Sequence, residues 1–323
     1  MGKTSNSRQK LIFNIGAILM LFIFLTILMQ PGILSRQYRA LIVPIAMNIV
    51  LAVSLNLLTG FLGELTLGHA GFMAIGAYTG AIFCLNVNMP QILAIVISVI
   101  LGGIVAGIFG FLIGVPVLRL RGDYLAIVTL AFGEIIRSVL NSLSFTGGPN
   151  GLKSIPKYLD SKNYIIVYII VVISVVLICN LVKSRQGRAI SSIRDNYIAA
   201  ESVGIPVSKF KVLAFVISAF FAGVAGVIYS LNYGIVNPKN FSYNKSIEIL
   251  VIVVLGGMGN IKGSIIGAII LTMLPEVLRG MDSYRMLLYA LILILIMLFN
   301  NSSIKEKMKT VKTKTTTKSK EVE

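Results

Sequence analysis

Charged residues are scarce in this chain, and their scarcity excludes a soluble globular domain. Asp, Glu, Lys and Arg make up 13% of the 323 residues, whereas soluble domains carry roughly 25%. Apolar residues make up 56%, and the mean hydropathy is +0.89. This composition indicates an integral membrane protein that crosses the bilayer several times.

Side chains that hold metals or act as nucleophiles are also few. The chain has no tryptophan, one histidine (His69) and two cysteines (Cys84 and Cys179), and the cysteines lie in or beside apolar runs, as packing residues do. The phosphate-binding sequence Gly-x-x-x-x-Gly-Lys-Ser/Thr is absent, so the chain does not by itself bind ATP in the usual way. No serine, cysteine or metal constellation suits catalysis. We therefore expect neither an enzyme nor a bound cofactor.

Acidic residues number only 12 against 29 lysines and arginines, which gives a formal net charge of +17. The basic residues fall mainly in loops and tails, and not on a polar surface with interleaved aromatics. Membrane lipid headgroups therefore explain the excess better than nucleic acid does.

Long apolar runs are what the chain has in abundance. A transmembrane helix needs about 20 predominantly apolar residues. The candidate runs cover residues 11–29, 40–58, 66–85, 91–117, 123–142, 164–182, 212–232 and 283–299. The first follows a basic start without a cleavage pattern and is expected to be retained. The sequence thus predicts an all-α polytopic membrane protein with about eight full transmembrane helices.

The basic segments predict how these helices are oriented. If all the runs cross, the following segments share one side: the N-terminal tail (1–10), residues 119–121, residues 183–211 and the lysine-rich tail (301–323). That side is cytoplasmic, because cytoplasmic loops carry an excess of Lys and Arg. Residues 143–163 then lie outside. The membrane domain covers residues 11–300, and the C-terminal tail, which lacks apolar periodicity, is expected to be disordered.

Two apolar stretches are broken by glycine-rich segments. Residues 247–275 contain GGMGNIKG (256–263), which leaves arms too short for full crossings. With both flanks outside, this re-entrant or short-helix pair must enter and return, which raises the total to about eight to ten segments. A second interruption, GFLGEL, covers residues 60–65. Broken backbone in a membrane is tolerated only where protein or a water-filled cavity satisfies it. The translocation-path candidates are therefore Gly60, Gly63, Glu64, Gly256, Gly257 and Gly259.

The two breaks also indicate an internal repeat. The glycines align in pairs: Gly60 with Gly256, Gly63 with Gly259, and Gly71 with Gly267. Interrupted helices in corresponding positions of two halves are typical of transporters built from repeats, including inverted ones. Coincidence in a glycine-rich membrane protein is the alternative explanation.

Few ionisable residues lie inside the apolar runs. Glu134 and Arg137 are three residues apart and are expected to form an intrahelical ion pair. Glu248 is expected to stabilise the start of a helix. Glu64 and His69 could form a proton relay, although a lone histidine is more often a packed hydrogen-bonding residue.

The polar segment 183–211 is patterned for docking another protein. Ala199 and Ala200 are small enough for a short helix to sit closely in a groove. Gly204 would end this helix with a left-handed turn, and Pro206 would prevent its continuation. A solvated basic loop is the alternative. An ion-coupled carrier needs intramembrane charges, so the sparse charges and this segment favour a permease driven by a separate ATPase.

Several long blocks of the sequence resemble one family. The blocks are LNLLTGFLGELTLGHAGFMAIGAYTGA (55–81), RLRGDYLAIVTLAFGEIIR (119–137), TGGPNGL (146–152), GRAISSIRDNYIAAESVGIPVSKFKVLAF (187–215) and SIEILVIVVLGGMGNIKGSIIGA (246–268). In this order they resemble branched-chain amino acid ABC importer permeases of the LivM type over roughly residues 40–299.

The resemblance implies one of two homologous membrane subunits of an importer in a bacterial inner or plasma membrane, with both termini cytoplasmic. The implied partners are a LivH-like second permease subunit, two ATP-binding subunits that hold the ATP, and an extracytoplasmic binding protein that delivers leucine, isoleucine or valine. The implied ATPase-coupling residues are Ala199, Ala200, Glu201 and Gly204. Ile198 stands where the general coupling motif of importers has Glu.

Two alternatives stay open. The same architecture serves urea, short amides and nucleosides, so the substrate rests on the resemblance alone. A proton- or sodium-coupled amino acid carrier would use Glu64, His69 and Glu134.

Overall fold

A computed structural model describes residues 35–279, apart from residues 88, 121, 161 and 162, together with residues 20, 26, 284, 287, 290, 291 and 294. Both tails and most of the predicted spans 11–29 and 283–299 lie outside the described residues.

The described residues form an all-helical structure, as the sequence predicts. The helices are α1 (Arg36–Ala40), α2 (Ile42–Asn56), α3 (His69–Asn86), α4 (Gln91–Val117), α5 (Asp123–Ser142), α6 (Tyr164–Lys183), α7 (Arg185–Asp195), α8 (Tyr197–Ser202), α9 (Val207–Tyr233), α10 (Tyr243–Gly256) and α11 (Ile261–Val277). A π-helical turn, Leu57–Leu62, follows α2. An isolated antiparallel bridge joins Leu152 to Val236.

Five helical units within residues 35–279 are long and apolar enough to cross a membrane. They are the unit Arg36–Leu62, α4, α5, α6 and α9. These units coincide with the predicted spans 40–58, 91–117, 123–142, 164–182 and 212–232. The protein is therefore a multi-pass membrane protein. The predicted total of about eight spans is not reached within the described residues, and it stays a prediction.

The structure differs from the prediction of a membrane span at residues 66–85. Its first residues are not helical, and α3 starts only at His69. α3 is not one of the five apolar units, because its glycines and polar termini lower its hydropathy. Most of its residues are buried between other helices, so protein surrounds it more than lipid does.

Helix α9 lies at the centre of the bundle. It packs along α3 and α4 and also contacts α2. A methyl group built on Gly76 of α3 would collide with the backbone of Gly223 in α9, and one built on Gly226 would collide with the backbone of Met73. In lipid, close packing through such small residues replaces the hydrophobic effect as the force that joins helices.

A different polar region adjoins each end of α9. Helices α7 and α8 precede its first turn, whereas Gly234 ends it and leads to Val236. Leu152 and Val236 exchange backbone hydrogen bonds of 2.9 Å, which ties the loop 143–163 to this second end. A helix of 27 residues is about 40 Å long. The basic segment and the loop 143–163 therefore lie at opposite ends of α9, as segments on opposite sides of a membrane would, and which side is cytoplasmic stays a prediction.

Candidate functional site

The first glycine break is a π-helical turn followed by a non-helical segment. The turn Leu57–Leu62 ends at Gly63, whose φ of 82° is left-handed, a conformation that glycine adopts without strain. Residues 63–68 then run without helix until α3 begins. Leu67 N–H donates to Thr129 Oγ1 at 3.0 Å on α5. Such π turns occur frequently at functional sites.

The second break separates α10 from α11. Gly257 and Gly259 take left-handed φ values of 90° and 77°. Beyond them the chain returns, because α11 packs against α10 so closely that a methyl group on Gly256 would collide with the Gly263 carbonyl. The prediction that this segment forms a glycine-broken pair of short helices is confirmed.

The structure brings the two breaks into contact. A methyl group on Gly60 would collide with the Gly259 amide. Asn56, which is fully buried, bonds across this contact: its Oδ1 accepts from Gly259 N–H at 2.8 Å, and its Nδ2 donates to Ser264 Oγ at 2.8 Å. We call Asn56, Gly60 and Gly259 the glycine junction. A buried amide that bonds broken backbone has to be precisely placed, since an unpaired group there is costly.

A polar stripe continues from the junction along α2 and α11. Asn48 Nδ2 donates to Thr272 Oγ1 at 2.8 Å, eight residues along each helix from the Asn56 and Ser264 pair. Both bonds join α2 to α11, and the pairing of Asn48 with Thr272 and of Asn56 with Ser264 runs in opposite directions along the two helices. The stripe therefore lies in the antiparallel interface between α2 and α11.

Arg194, in the last turn of α7, reaches the junction from the other side. Its Nη1 donates to the Gly60 carbonyl oxygen at 2.9 Å. Its Nη2 lies 2.9 Å from Asp195 Oδ1. A methyl group on Gly63 would collide with the Arg194 side chain, so the glycine permits this approach.

A buried ion pair lies beside Arg194. Lys211 Nζ, in the first turns of α9, bonds to Glu64 Oε1, and the two side chains are 8% and 12% exposed. Both residues line a largely polar cavity of about 220 Å³. Its other lining residues are Leu62, Gly63, Gly122, Ile193, Arg194 and Tyr197. The polar segment and the first break thus share one site.

Helix α8 has the predicted local geometry. Asn196 Oδ1 caps its start by accepting from Ala199 N–H at 3.1 Å. Gly204 has a φ of 83°, and Ile205 N–H donates to the Ala200 carbonyl at 3.0 Å. The predicted left-handed end at Gly204 is therefore confirmed.

The outer face of α8 is exposed and partly apolar. Ala200 is buried, whereas Ala199, Glu201 and Gly204 are exposed. Ile198 and Val203 are 60% and 77% exposed. Large exposed apolar side chains on a polar segment are typical of a protein contact surface.

The acidic and histidine side chains that the alternative, an ion-coupled carrier, would use all have structural partners. Glu64 pairs with Lys211. Glu134 Oε2 lies 2.6 Å from Arg137 Nε, which confirms the intrahelical pair, and Glu134 Oε1 accepts from Tyr243 N–H at the start of α10. His69 Nε2 lies 2.8 Å from Ser54 Oγ and is buried, as a packed histidine would be.

The prediction for Glu248 is wrong. Helix α10 begins at Tyr243, so Glu248 lies beyond the first turn, where the dipole effect fades. It pairs instead with Lys245 at 3.0 Å. Glu134 supplies the acid at this helix start, through a contact between distant parts of the chain.

Sequence reasoning did not identify Asn56, Arg194 and Lys211 as site residues. Each is a polar residue at or near an apolar run, which signals a buried partner. Arg194 and its partner Gly60 are 134 positions apart along the chain, and Asn56 and its partner Gly259 are 203 positions apart. No local sequence pattern therefore identifies these partners.

The class of protein follows from comparison with known proteins. Residues 37–298 match the family described as branched-chain amino acid transport system, permease component. The chain belongs to this family, which is one of transport permeases and not of enzymes. The predicted resemblance is confirmed.

Particular relatives define the similarity further. The chain is 38% identical over 301 residues to the high-affinity branched-chain amino acid transport system permease protein LivM of Salmonella typhimurium, covering 83% of this chain and 70% of that protein. It is 38% identical over 88 residues to LivH of Escherichia coli, covering 27% and 28%. It is 25% identical over 278 residues to the ribose import permease protein RbsC of Haemophilus influenzae, covering 79% and 82%. No solved structure matches the chain.

Proposed function

We propose that this chain is the membrane-spanning permease subunit of an ATP-driven importer that moves leucine, isoleucine and valine into the cell. The similarity to LivM across 83% of the chain supports this substrate class. The observation that carries the mechanism is that the polar segment containing α7 and α8 contacts the first glycine break through Arg194 and Lys211. Force applied to that segment has a direct route to broken backbone inside the bundle.

The ATP-binding subunits dock on α8. Ala199, Glu201 and Gly204 are exposed and Ala200 is buried, so the short helix rests on the bundle while presenting its outer face to a partner. The exposed apolar side chains of Ile198 and Val203 suit a groove in that partner. Closure of the ATPase pair would then push α8 and rock the bundle between outward and inward states.

The substrate path runs beside the glycine junction. The junction lies where two helix breaks meet, and helix breaks in transporters present backbone groups to substrates. Gly257 has a left-handed φ, and a Cβ atom built on it would have no neighbouring atom within 4 Å. An amino acid zwitterion needs amide donors for its carboxylate and carbonyl acceptors for its ammonium group, and broken helices supply both.

The orientation and partners follow from the same reasoning. The α7 and α8 end of the bundle faces the cytoplasm of a bacterial inner or plasma membrane, because it carries the basic segment, and both termini lie on that side. A LivH-like second permease subunit, two ATP-binding subunits and an extracytoplasmic binding protein complete the importer. The local similarity to LivH supports a homologous partner.

Reconstitution into proteoliposomes tests this function. Vesicles containing the chain with the second permease and ATPase subunits should take up radiolabelled leucine only when ATP is inside and binding protein outside. Vesicles with the chain alone and a proton or sodium gradient should take up none. Uptake driven by the gradient alone would instead establish an ion-coupled carrier.

Competition experiments in the same vesicles test the substrate class. Unlabelled isoleucine and valine should reduce leucine uptake, whereas urea, acetamide and uridine should not. Uptake of one of those three compounds in place of leucine would show that the chain serves a related small solute.

A further inference from the structure

Arg194 joins the segment that contains α8 to both glycine breaks. Its Nη1 donates to the Gly60 carbonyl at 2.9 Å. A methyl group built on Gly259 would lie 3.2 Å from the same nitrogen. Its Nε and Nη2 donate to Asp195 Oδ1 at 3.1 and 2.9 Å. One guanidinium group therefore reaches both breaks while the neighbouring carboxylate orients it.

The Gly60 carbonyl lies two residues before the end of the π-helical turn Leu57–Leu62, and residues 63–68 after the turn are not helical. Carbonyl groups near a helix end lack their usual main-chain donors. A guanidinium donor gives such a carbonyl a charge-assisted bond, which is shorter and stronger than a neutral one. The Arg194 bond is therefore well suited to hold Gly60 in place.

The connection from α8 to Arg194 is short. Asp195 ends α7, and Asn196 caps α8 through the Ala199 amide. A displacement of α8 therefore moves the backbone of Arg194. On the other side of the contact, Asn56 links the Gly60 turn to Gly259 at 2.8 Å.

We propose that Arg194 is a positioning residue that transmits the displacement of α8 to both glycine breaks. This inference rests on the proposed function, since it assigns the route by which ATP-driven movement of α8 reaches the substrate path. Arg194 itself contacts neither ATP nor the substrate in this mechanism.

The geometry requires arginine and not merely a positive charge. The guanidinium group donates through different nitrogens to Gly60 and to Asp195 at the same time. An ammonium group is a compact point charge on a flexible stem and does not reproduce this planar fork. Lysine at this position keeps the charge but loses the oriented bridge.

The test uses the complete importer in proteoliposomes and compares leucine uptake with ATP hydrolysis. Arg194→Gln and Arg194→Lys should keep hydrolysis stimulated by the binding protein within about twofold of the unsubstituted importer, while uptake per ATP falls roughly tenfold, as expected for loss of a charge-assisted bond. A purely stabilising role would lower both activities together through the amount of assembled complex.

Arg188→Gln is the matched control. Arg188 lies on the same helix, and its Nη1 donates to the Lys183 carbonyl at 3.2 Å, close to it along the chain. Its substitution removes the same charge from α7 without touching either break. Uptake per ATP should stay within about twofold of the unsubstituted importer, because the Arg188 bond goes to the end of α6 and reaches neither glycine break.

Labelling of Leu65→Cys provides a readout that does not depend on uptake. Leu65 lies in the non-helical segment after the π turn and is 38% exposed. In a background with Cys84→Ala and Cys179→Ala, addition of ATP should change the rate at which a methanethiosulfonate reagent labels this cysteine. Arg194→Gln should abolish that change.

Two results would overturn the proposal: an unchanged ratio of uptake to hydrolysis in Arg194→Gln, whether or not both activities fall together, or nucleotide-dependent labelling of Leu65→Cys that persists in Arg194→Gln. Failure of the proposed function is distinguishable, because the unsubstituted importer would then transport no leucine with its partners present.

Discussion

Single polar side chains stabilise the interrupted backbone of this membrane protein. Those that bond to main-chain groups at or beside the breaks include Asn56, Thr129, Arg194 and Ser246. Each supplies a bond that an unbroken helix would have made for itself. An unsatisfied backbone group in the hydrocarbon region costs several kcal/mol, so these few residues determine where the chain can break.

The pair Glu64 and Lys211 allows a test at the residue scale. Because both side chains are largely buried, removing one charge leaves the other unpaired, which costs about 3–5 kcal/mol in buried pairs. Glu64→Gln and Lys211→Met should therefore each lower the apparent melting temperature of the detergent-purified chain. The exchange Glu64→Lys with Lys211→Glu should restore part of the loss.

Arg279→Gln is the control for this pair. Arg279 is 62% exposed and pairs at 2.9 Å with Glu276, which also accepts a hydrogen bond from Gln37. Loss of Arg279 therefore leaves the carboxylate with a partner and should cost only about 0–1 kcal/mol, as for an exposed charge. The melting temperature of Arg279→Gln should stay close to that of the unsubstituted chain. Equal shifts for Arg279→Gln and for the variants of Glu64 and Lys211 would contradict the stabilising role of the buried pair.

At the element scale, α8 is too short to be stable by itself. It has six residues, whereas isolated helices shorter than about 12 residues are marginal in water. Its geometry depends on the Asn196 cap and on the left-handed Gly204. The two ends therefore preserve the shape of the surface proposed to dock the ATPase.

Gly204→Val should uncouple ATP hydrolysis from uptake. An added Cβ at Gly204 meets nothing within 4 Å, so the effect comes from backbone strain at a φ of 83° and not from a clash. Strain of this kind costs about 1–3 kcal/mol. The loss of coupling is measured as a fall in the ratio of leucine uptake to ATP hydrolysis in proteoliposomes.

Gly204→Asn is the informative comparison, because asparagine tolerates the left-handed region better than other non-glycine residues. It should retain most of the coupling. If the valine variant transports as well as the unsubstituted importer, the shape of the α8 end has no part in coupling.

At the scale of the whole molecule, close packing of α9 against its neighbouring helices determines how the elements around the site are arranged. Helix α9 is packed against α3 and α4, and it carries Lys211 near its start. Ser218 of α9 donates to the Ser54 carbonyl at 2.6 Å on α2. The packing of α2, α3 and α9 against one another thus fixes the position of the first break.

Gly226→Ala and Gly107→Ala separate close backbone contact from ordinary burial. A methyl group on Gly226 would collide with the Met73 carbonyl, whereas one on the buried Gly107 would lie 3.7 Å from its nearest neighbour. Overpacking costs about 1–3 kcal/mol. We expect Gly226→Ala to lower the melting temperature of the purified chain and Gly107→Ala to leave it nearly unchanged.

The opposite order, with Gly107→Ala more damaging than Gly226→Ala, would show that the packing of α9 against α3 is not the tighter contact. Gel filtration of both variants distinguishes lower stability from altered assembly.

Much of the fold and part of the site were predictable from local sequence. The spans at 91–117 and 123–142 agree with α4 and α5 because hydropathy along a run reports directly on the length of an apolar helix. Gly204 was predictable because a glycine after a short helical pattern favours a left-handed end. Glu248 was assigned wrongly because the start of α10 depends on Glu134 from another helix.

The sequence by itself determined the membrane class, the approximate bounds of five long apolar helices and the places where the chain breaks, because hydropathy and the conformational freedom of glycine are properties of neighbouring residues. Only the tertiary structure decided that Gly60 meets Gly259, that Arg194 bonds to Gly60 and that Lys211 pairs with Glu64. Arg194 and Lys211 bond to partners 134 and 147 positions away along the chain. Their pairing follows from how the helices pack, which no local pattern specifies.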